Sequence, residues 1–304
     1  MGKELRVRPV RDAAELLSIV EPLEPHTTLI AGRLRDRELG REDRAFIVED
    51  TYAAPAGAVL LSRLCFDRWY AKPMLLHARA APMLARTIDR SRSRGVLGPE
   101  EHVGALIPHL RRVQRSRTMP WAWVPPPLPA PHGPLDPRTR LATAADLEAL
   151  VDLYRGFELD PVPPRRIGQL LAQMLERNVV VVAEGEGRLV AAMRAETQSR
   201  HYMYWGGLTV RPENRNEGLA RSVILRTHAV TRAFDLGYIV VRATGRAPRP
   251  DRRTTFNPLL QRPGYRELGA TGTWSMVSLA ARPTRRILGG LQRRITSPLV
   301  AASR

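Results

Sequence analysis

The sequence has a single cysteine, Cys65, and only two lysines, Lys3 and Lys72, among 304 residues. One cysteine excludes an intrachain disulfide and fits a reducing compartment, so we expect a cytoplasmic protein. No apolar run approaches the roughly 18 residues that a membrane-spanning helix needs, and the first residues lack the apolar core of a secretory signal. The seven histidines show no metal-ligand spacing with one another or with Cys65, so no metal is expected.

The positive charge of the chain comes almost entirely from arginine. The formal net charge is +18, and all but two of the 48 basic residues are arginine. Such a bias more often reflects a GC-rich genome than phosphate recognition, and no compact basic block stands out. Nucleic acid is therefore an open but not a favoured partner. A polyanionic cofactor would account for part of the excess.

Proline density marks one boundary in the chain. The prolines between residues 125 and 137 favour an extended polyproline segment over a helix or a ladder strand. We therefore predict a first domain at 1–120, a Pro-rich linker at 121–137, a second domain at 138–281 and a basic tail at 282–304.

Helical and strand patterns alternate through both predicted domains. In the second domain, helices are predicted at 144–154, 165–177, 218–234 and 256–262, and strands at 179–184, 189–197, 202–210, 238–243 and 273–280. The first domain repeats the opening of this order more loosely. Its predicted elements are a strand at 5–10, a helical stretch at 12–39 broken by two prolines, a hairpin of 45–50 with 57–64, and helices at 80–90 and 99–115.

The run from Gly207 to Ala220 leads from a strand through a proline-containing turn to the start of a helix. Backbone N–H groups at a helix N-terminus bind the oxygens of a pyrophosphate well. Gly218 and Ala220 have little or no side chain, so a phosphate can approach the backbone closely. These residues indicate a nucleotide-like cofactor.

This run resembles the acetyl-coenzyme A loop of the GNAT acetyltransferase superfamily, which reads Gln/Arg-x-x-Gly-x-Gly/Ala after a strand ending in Val-x-Pro-Glu. The matching residues are Arg215, Gly218 and Ala220 in the loop, and Val210, Pro212 and Glu213 before it. The resemblance covers residues 138–281 and implies an α/β (α+β) fold with a mixed, mostly antiparallel sheet flanked by helices. Because no such loop precedes Pro125, we expect two tandem copies with a degenerate first copy; an unrelated α/β packing domain is the alternative.

The resemblance also implies acetyl-coenzyme A as co-substrate. In the family, the strand before the loop pairs with the pantetheine arm, and one strand N–H points at the thioester oxygen. The cofactor-binding residues expected here are Leu208, Thr209 and Val210 on the strand, Arg215, Asn216, Glu217, Gly218, Leu219, Ala220 and Arg221 in and after the loop, and Asn257. The basic segment 242–253 either meets the ribose 3′-phosphate or is a solvated loop.

The candidate acid and base are Glu196, late on the third strand of the second domain, and Tyr204, on the fourth. Simple packing of Tyr204 is the alternative interpretation. GNAT enzymes often carry an asparagine followed seven residues later by a catalytic tyrosine, but Gly264 stands seven residues after Asn257. That general acid is therefore absent.

Together these residues predict an acetyl-coenzyme A-dependent N-acetyltransferase that moves an acetyl group to an unidentified small-molecule or peptide amine. Transfer would be direct, because no cysteine lies near the loop to carry the acetyl group. Two alternatives stay open. One is an acyl-coenzyme A sensor without turnover, which the missing tyrosine favours. The other is an acetyltransferase that acts on tRNA or another nucleic acid.

Overall fold

The computed structural model describes residues 4–36, 43–64, 68–131, 133–155, 163–176, 179–241 and 270–280. The first half of the chain forms β1 (Leu5–Pro9), α1 (Ala13–Val20), α2 (Thr28–Asp36), β2 (Arg44–Asp50), β3 (Pro55–Leu64), β4 (Arg68–Leu75), α3 (Ala81–Arg90), β5 (Gly95–Pro99), α4 (Glu100–Leu106) and β6 (Val113–Val124). The second half forms β7 (Thr139–Leu141), α5 (Leu147–Arg155), α6 (Pro164–Glu176), β8 (Val180–Gly185), β9 (Arg188–Gln198), β10 (Tyr202–Val210), α7 (Leu219–Ala233), β11 (Gly237–Val241) and β12 (Ala270–Leu279). Each half begins with a strand, two helices, three strands, a helix and a strand.

Local chemistry sets several of these boundaries. Asp12 begins α1, because its side chain accepts a backbone N–H of the first turn at 2.9 Å. Thr143 and Asp146 form a reciprocal capping box in the short 3₁₀ turn before α5. The β8–β9 hairpin turns at Glu186 and Gly187, which both have positive φ, as a two-residue turn between right-twisted strands requires.

The twelve strands that the structure describes belong to one sheet, in the order β1-β2-β3-β4-β5-β12-β6-β11-β10-β9-β8-β7. Neighbouring strands are antiparallel except at two places, where β4 pairs with β5 and β10 pairs with β11 in parallel. Counted inward from either edge of the sheet, the first four strands pair antiparallel with one another, and the fifth strand is parallel to the fourth. This mixed, mostly antiparallel sheet with flanking helices confirms the predicted fold class.

The two halves exchange their last strands at the centre of the sheet. In β12, residues 274–278 pair with β5 of the first half. In β6, residues 121–124 pair with β11 of the second half. The strands β6 and β12 also pair with each other along their lengths. Each half's sheet is thus continued by a strand that the other half supplies.

Helices cover both faces of the sheet and bury separate apolar clusters. In the second half, α7 packs over one face around Trp205, and α5 and α6 pack over the other around Tyr154. In the first half, α3 and α4 cover one face, and α1 and α2 cover the other. A fifth cluster, which includes Leu29 of α2 and Trp121 of β6, lies where the halves meet.

The prediction for residues 99–115 is wrong in its second half. The predicted helix ends at Leu106 as α4, and β6 occupies residues 113–124, including the first four residues of the predicted linker. The start of β6 is polar and exposed, so pairing with β12, rather than an apolar pattern, makes it a strand. The strands β4, β5 and β7 are also absent from the predicted elements. The division into domains at 1–120 and 138–281 stays a prediction, and the sheet runs continuously across it.

Several predicted features lie outside the described residues. They are the helix at 256–262, Asn257, the basic segment 242–253 and the tail 282–304. Among the helices that the structure describes, none is long and apolar enough to cross a membrane.

Candidate functional site

The centre of the site is an irregularity in β10. This strand pairs with β11 as far as Trp205, and beyond that residue its described partner is β9 alone. The β9 register then jumps, because Gly206 lies opposite Arg194 whereas Thr209 lies opposite Ala192. One extra residue in β10 therefore forms a β-bulge.

Glycine is required inside this bulge. Gly207 has φ = +60°, in the left-handed region that disfavours a Cβ, and a Cβ there would stand 2.4 Å from Nη1 of Arg194. The bulge turns the backbone of residues 206–208 out of regular pairing with β9, just beyond Trp205, the last residue of β10 that pairs with described residues of β11. Of the predicted strand residues, Leu208 and Val210 are half-buried and Thr209 is buried.

The predicted cofactor loop follows directly from this strand. Arg211 fixes the strand end, because its Nε donates to the carbonyl oxygen of Leu189 at 2.9 Å. A short 3₁₀ turn, Pro212–Asn214, comes next. Asn216 and Gly218 then have φ of +70° and +80°, so two left-handed residues redirect the chain just before α7.

The start of α7 has no side-chain cap in the part of the chain that the structure describes. Gly218 is its N-cap, and no side chain of the described residues caps the helix there. The first helical bond runs from the N–H of Ser222 to the carbonyl oxygen of Gly218, so the amides of residues 219–221 have no partner within the helix. No described atom lies within 4 Å of where a Cβ of Gly218 would stand. Leu219 is buried and anchors the turn, whereas Ala220 is only partly covered.

The loop itself carries charges of both signs. Arg215 and Arg221 are exposed, and so is Glu217. An oxygen of Glu217 accepts a hydrogen bond from the Asn214 amide at 3.1 Å, which ties the carboxylate to the preceding turn. The two arginines therefore provide solvent-facing positive charge at this end of α7.

A second carboxylate lies beside the first turn of α7. Asp136 accepts hydrogen bonds from Arg138 at 2.9 Å and from the hydroxyl of Ser222 at 2.9 Å. Chiefly the hydrogen bond from Arg138 lowers the pKa of Asp136 to about 2. Arg138 thus balances this carboxylate next to the open helix end.

Glu196, the predicted catalytic carboxylate, lies over the bulge in a buried ion pair. Its Oε1 is 3.0 Å from Nη2 of Arg194, and the two side chains are 6% and 3% exposed. The Glu196 side chain covers Gly206, where a Cβ would meet its Cγ at 2.8 Å. The Arg194 guanidinium lies 4.6 Å from the centre of the Tyr154 ring, and the Tyr154 hydroxyl donates to the carbonyl oxygen of Gly207 at 3.0 Å.

Tyr204, the second predicted catalytic residue, is buried two positions before Gly206 on β10. It belongs to the cluster at the meeting of the halves, with Leu29 of α2 and Ile239 of β11. The first half of the chain therefore borders the site on the side of Tyr204. The catalytic roles of Glu196 and Tyr204 stay predictions.

The helix α2 approaches the sheet of the second half closely at this junction. A Cβ on Gly32 would stand 2.3 Å from Oγ1 of Thr197. In the same region, Oε2 of Glu24 accepts a hydrogen bond from Ser199 Oγ at 2.9 Å, and its Oε1 is buried without a hydrogen-bond partner among the described residues. Burial raises the pKa of Glu24 to about 7, against the lowering effect of the Ser199 hydrogen bond.

Tyr154 and Arg194 support the bulge, and neither is among the site residues predicted from sequence. The sequence does hold a signal for this arrangement. Arg194 is a charge inside an otherwise apolar strand pattern, and a buried charge needs a partner. The adjacent Gly206 and Gly207 interrupt a strand, which commonly marks a bulge. In the described part of the chain, no group of three His, Cys, Asp or Glu side chains is placed to hold a metal ion.

No protein-family model matches the chain, and no curated protein matches it. Solved structures similar to it include a GCN5-related N-acetyltransferase from Sphaerobacter thermophilus, with a TM-score of 0.60, 16% identity and coverage of 90% of this chain and 94% of that chain. A GNAT-family acetyltransferase from Colwellia psychrerythraea has a TM-score of 0.51, 14% identity and coverage of 90% and 100%. A tandem GNAT protein from the clavulanic acid biosynthesis pathway has a TM-score of 0.51, 12% identity and coverage of 92% and 100%.

These similarities show the fold. The chain has the fold of the GNAT acetyltransferases, as the resemblance of residues 210–220 implied.

Proposed function

We propose that the protein is an acetyl-coenzyme A-dependent N-acyltransferase that transfers an acetyl group directly to a small-molecule or peptide amine. The observation that carries this proposal is the continuity of two features. The bulge at Gly207 turns strand backbone out of regular pairing, and one short turn connects it to the uncapped start of α7. A thioester and a pyrophosphate belong to one cofactor, and these two backbone sites lie on one continuous segment.

The residues at both sites fit such a cofactor. The amides of residues 219–221 and the open space at Gly218 would hold the pyrophosphate, with Arg215 and Arg221 adding positive charge. The backbone of residues 206–208 would orient the acyl end and donate a hydrogen bond to its carbonyl oxygen. Acetyl-coenzyme A supplies an activated acyl group when bound.

Glu196 lies directly over the bulge. We assign it the role of general base, which accepts the proton of the attacking amine through a water molecule. Arg194 holds this side chain over Gly206 and balances its charge. Tyr204 is the candidate donor to the departing thiolate, since it lies on the same strand two residues before the bulge. It shares an apolar cluster with Leu29, so the first half would form one wall of the proposed acceptor site.

The similar order of elements in the two halves supports a further part of the proposal. The connection from β4 to α3 contains no glycine and does not match the cofactor loop, although it occupies the same place in that order. We therefore assign cofactor binding to the second half alone. One similar solved structure is described as a tandem GNAT protein, which supports a tandem arrangement of two copies here.

Calorimetric titration with acetyl-coenzyme A tests the binding step. Gly218→Trp fills the open space before α7 and should abolish binding. Gly187→Trp is the matched control, because Gly187 also has positive φ (+73°) with no described atom within 4 Å of its Cβ position, but it lies in the β8–β9 turn. Equal binding by the wild type and Gly218→Trp, or no binding by the wild type, would contradict the proposal.

A second candidate function is an acyl-coenzyme A sensor. The ion pair of Glu196 with Arg194 favours it, because the pair already engages the carboxylate that the enzyme would need for the incoming amine. Thiol release from acetyl-coenzyme A in the presence of an amine panel distinguishes the two functions. An enzyme releases thiol in step with acetylated amine, and Glu196→Gln reduces the rate. A sensor binds with the same affinity and releases none.

A further inference from the structure

A cavity of about 760 Å³ lies in the first half, on the face of the sheet that α3 covers. It is bounded by the strands β1 to β4, by one face of α3 and by the residues that directly follow this helix. This volume is within the range of small-molecule binding sites. The cofactor loop proposed above belongs to the other half, so the cavity is a separate feature.

Arginine dominates the polar part of the cavity wall. The five arginines are Arg44 on β2, Arg63 on β3, Arg86 and Arg90 on α3, and Arg92 just after it. Among the described residues that line the cavity, none is acidic. Arg44, Arg86 and Arg92 are exposed, and their like charges around one cavity make the local electrostatic potential positive, which favours a bound anion that carries several charges.

The one acidic residue of α3, Asp89, does not line the cavity and has partners elsewhere. Asp89 accepts a hydrogen bond from the backbone N–H of Arg111 at 2.9 Å, and its Oδ1 lies 3.4 Å from Nε of Arg112. On the cavity side of the same helix, Arg86 and Arg90 are four residues apart and share one face. The helix thus separates its charges, with the carboxylate toward the segment between α4 and β6 and the arginines toward the cavity.

The rest of the cavity wall is apolar and partly aromatic. Phe46, Trp69 and Met83 line the cavity, and they also pack against the apolar core beneath α3. The guanidinium of Arg63 lies 5.9 Å from the centre of the Trp69 ring, a cation–π arrangement. The wall therefore offers a flat apolar surface next to a group of arginines. A simple inorganic anion would contact only the arginines.

We propose that this cavity binds a small organic polyphosphate with a planar group, the chemical class to which nucleotides belong. Arginine forms paired hydrogen bonds with phosphate oxygens, and aromatic side chains stack on planar rings. The cavity is independent of the proposed cofactor site. It lies along α3 and past its C-terminal end, whereas the proposed pyrophosphate site lies at the start of α7.

The test is calorimetric titration of the full chain with three probes: ATP, inorganic triphosphate and adenosine. We expect ATP to bind more tightly than triphosphate, and adenosine to bind weakly or not at all. The double variant R44A/R86A should weaken ATP binding by at least about tenfold, because each arginine contributes a charge-assisted contact. The matched control R165A/R200A removes two exposed arginines of the second half and should leave the affinity unchanged.

A third variant tests the apolar wall. Trp69→Leu should weaken ATP binding while triphosphate binding persists, and the persistence shows that the cavity is still formed. Gly218→Trp should bind ATP as the wild type does. The proposal is overturned if ATP does not bind, if triphosphate binds as tightly as ATP, or if the two double variants lose affinity equally. Loss of ATP binding in Gly218→Trp also overturns it, since ATP would then occupy the proposed cofactor loop.

Discussion

Glu24→Gln should change how the stability of the protein depends on pH. Glu24 lies at the junction of the halves, with one oxygen bonded to Ser199 and the other buried without a hydrogen-bond partner among the described residues. Burial raises its pKa from 4.5 to about 7, the Ser199 hydrogen bond lowers it, and the neighbouring Glu21 raises it further. The folded protein therefore holds this proton more tightly than the unfolded chain.

The direction and size of the effect follow from this difference. The contribution of the protonated carboxyl to stability is complete below about pH 4.5 and is lost as the pH rises through about 7. At about 1.4 kcal/mol for each pH unit between the two pKa values, the upper limit of the loss is about 3 kcal/mol. Because Glu24 is only partly buried, solvent screening reduces this to about 1–2 kcal/mol. Glutamine keeps the hydrogen bond from Ser199 and never ionises, so the variant should not lose this contribution.

Urea unfolding at several pH values provides the measurement. The wild type and Glu24→Gln should be equally stable near pH 4.5, and the variant should be more stable by about 1–2 kcal/mol near pH 8. Glu176→Gln, on the exposed side of α6, is the control and should give a constant difference from the wild type. Parallel curves for the wild type and Glu24→Gln across this range would refute the reasoning.

Three further substitutions test the bulge and the junction. Gly207→Ala should cost about 2–4 kcal/mol in unfolding free energy and abolish the proposed acetyl transfer, because φ is +60° and the new Cβ meets Arg194. A thermal melt unchanged from the wild type would contradict this prediction. Gly32→Ala should cost about 2 kcal/mol through contact with the second half, against about 1 kcal/mol for Gly187→Ala in an open turn, and urea midpoints compare them. Tyr154→Phe removes the hydrogen bond to the bulge and should cost about 1 kcal/mol while lowering kcat more than the affinity for acetyl-coenzyme A; an unchanged kcat would remove Tyr154 from the site.

Those parts of the fold that carry their own periodic signal could be predicted from sequence. The helices α5, α6 and α7 each have an apolar face at helical spacing, and their predicted bounds agree with the structure within a few residues. The loop before α7 is specified by a local run of residues. In contrast, β5 reads Gly-Val-Leu-Gly-Pro and resembles a break, although it is buried throughout its length between β4 and β12. Only its neighbours in the sheet make it a strand.

The candidate site also has one part that the local sequence predicts and another part that depends on residues far apart in the chain. Gly218 and the loop follow from sequence, because the constraint on them is local backbone geometry. The support of Gly207 by Tyr154 joins residues 53 positions apart on different elements, and no local pattern specifies such a contact. The raised pKa of Glu24 comes from its burial at the junction of the halves, where its hydrogen-bond partner Ser199 is 175 residues away in the chain.

The exchange of β6 and β12 has a consequence for the order in which the protein can be completed during synthesis. The strand β5 leaves the ribosome early, but its partner in the centre of the sheet is β12, which is made after every other described element. Until residues 270–279 are made, one edge of β5 has unpaired backbone groups, and β6 lacks the neighbour that pairs with it along most of its length. The sheet of the nascent first half therefore stays incomplete until this strand is made. The topology thus predicts that the pairing of β12 with β5 and β6 is a slow, late step in folding.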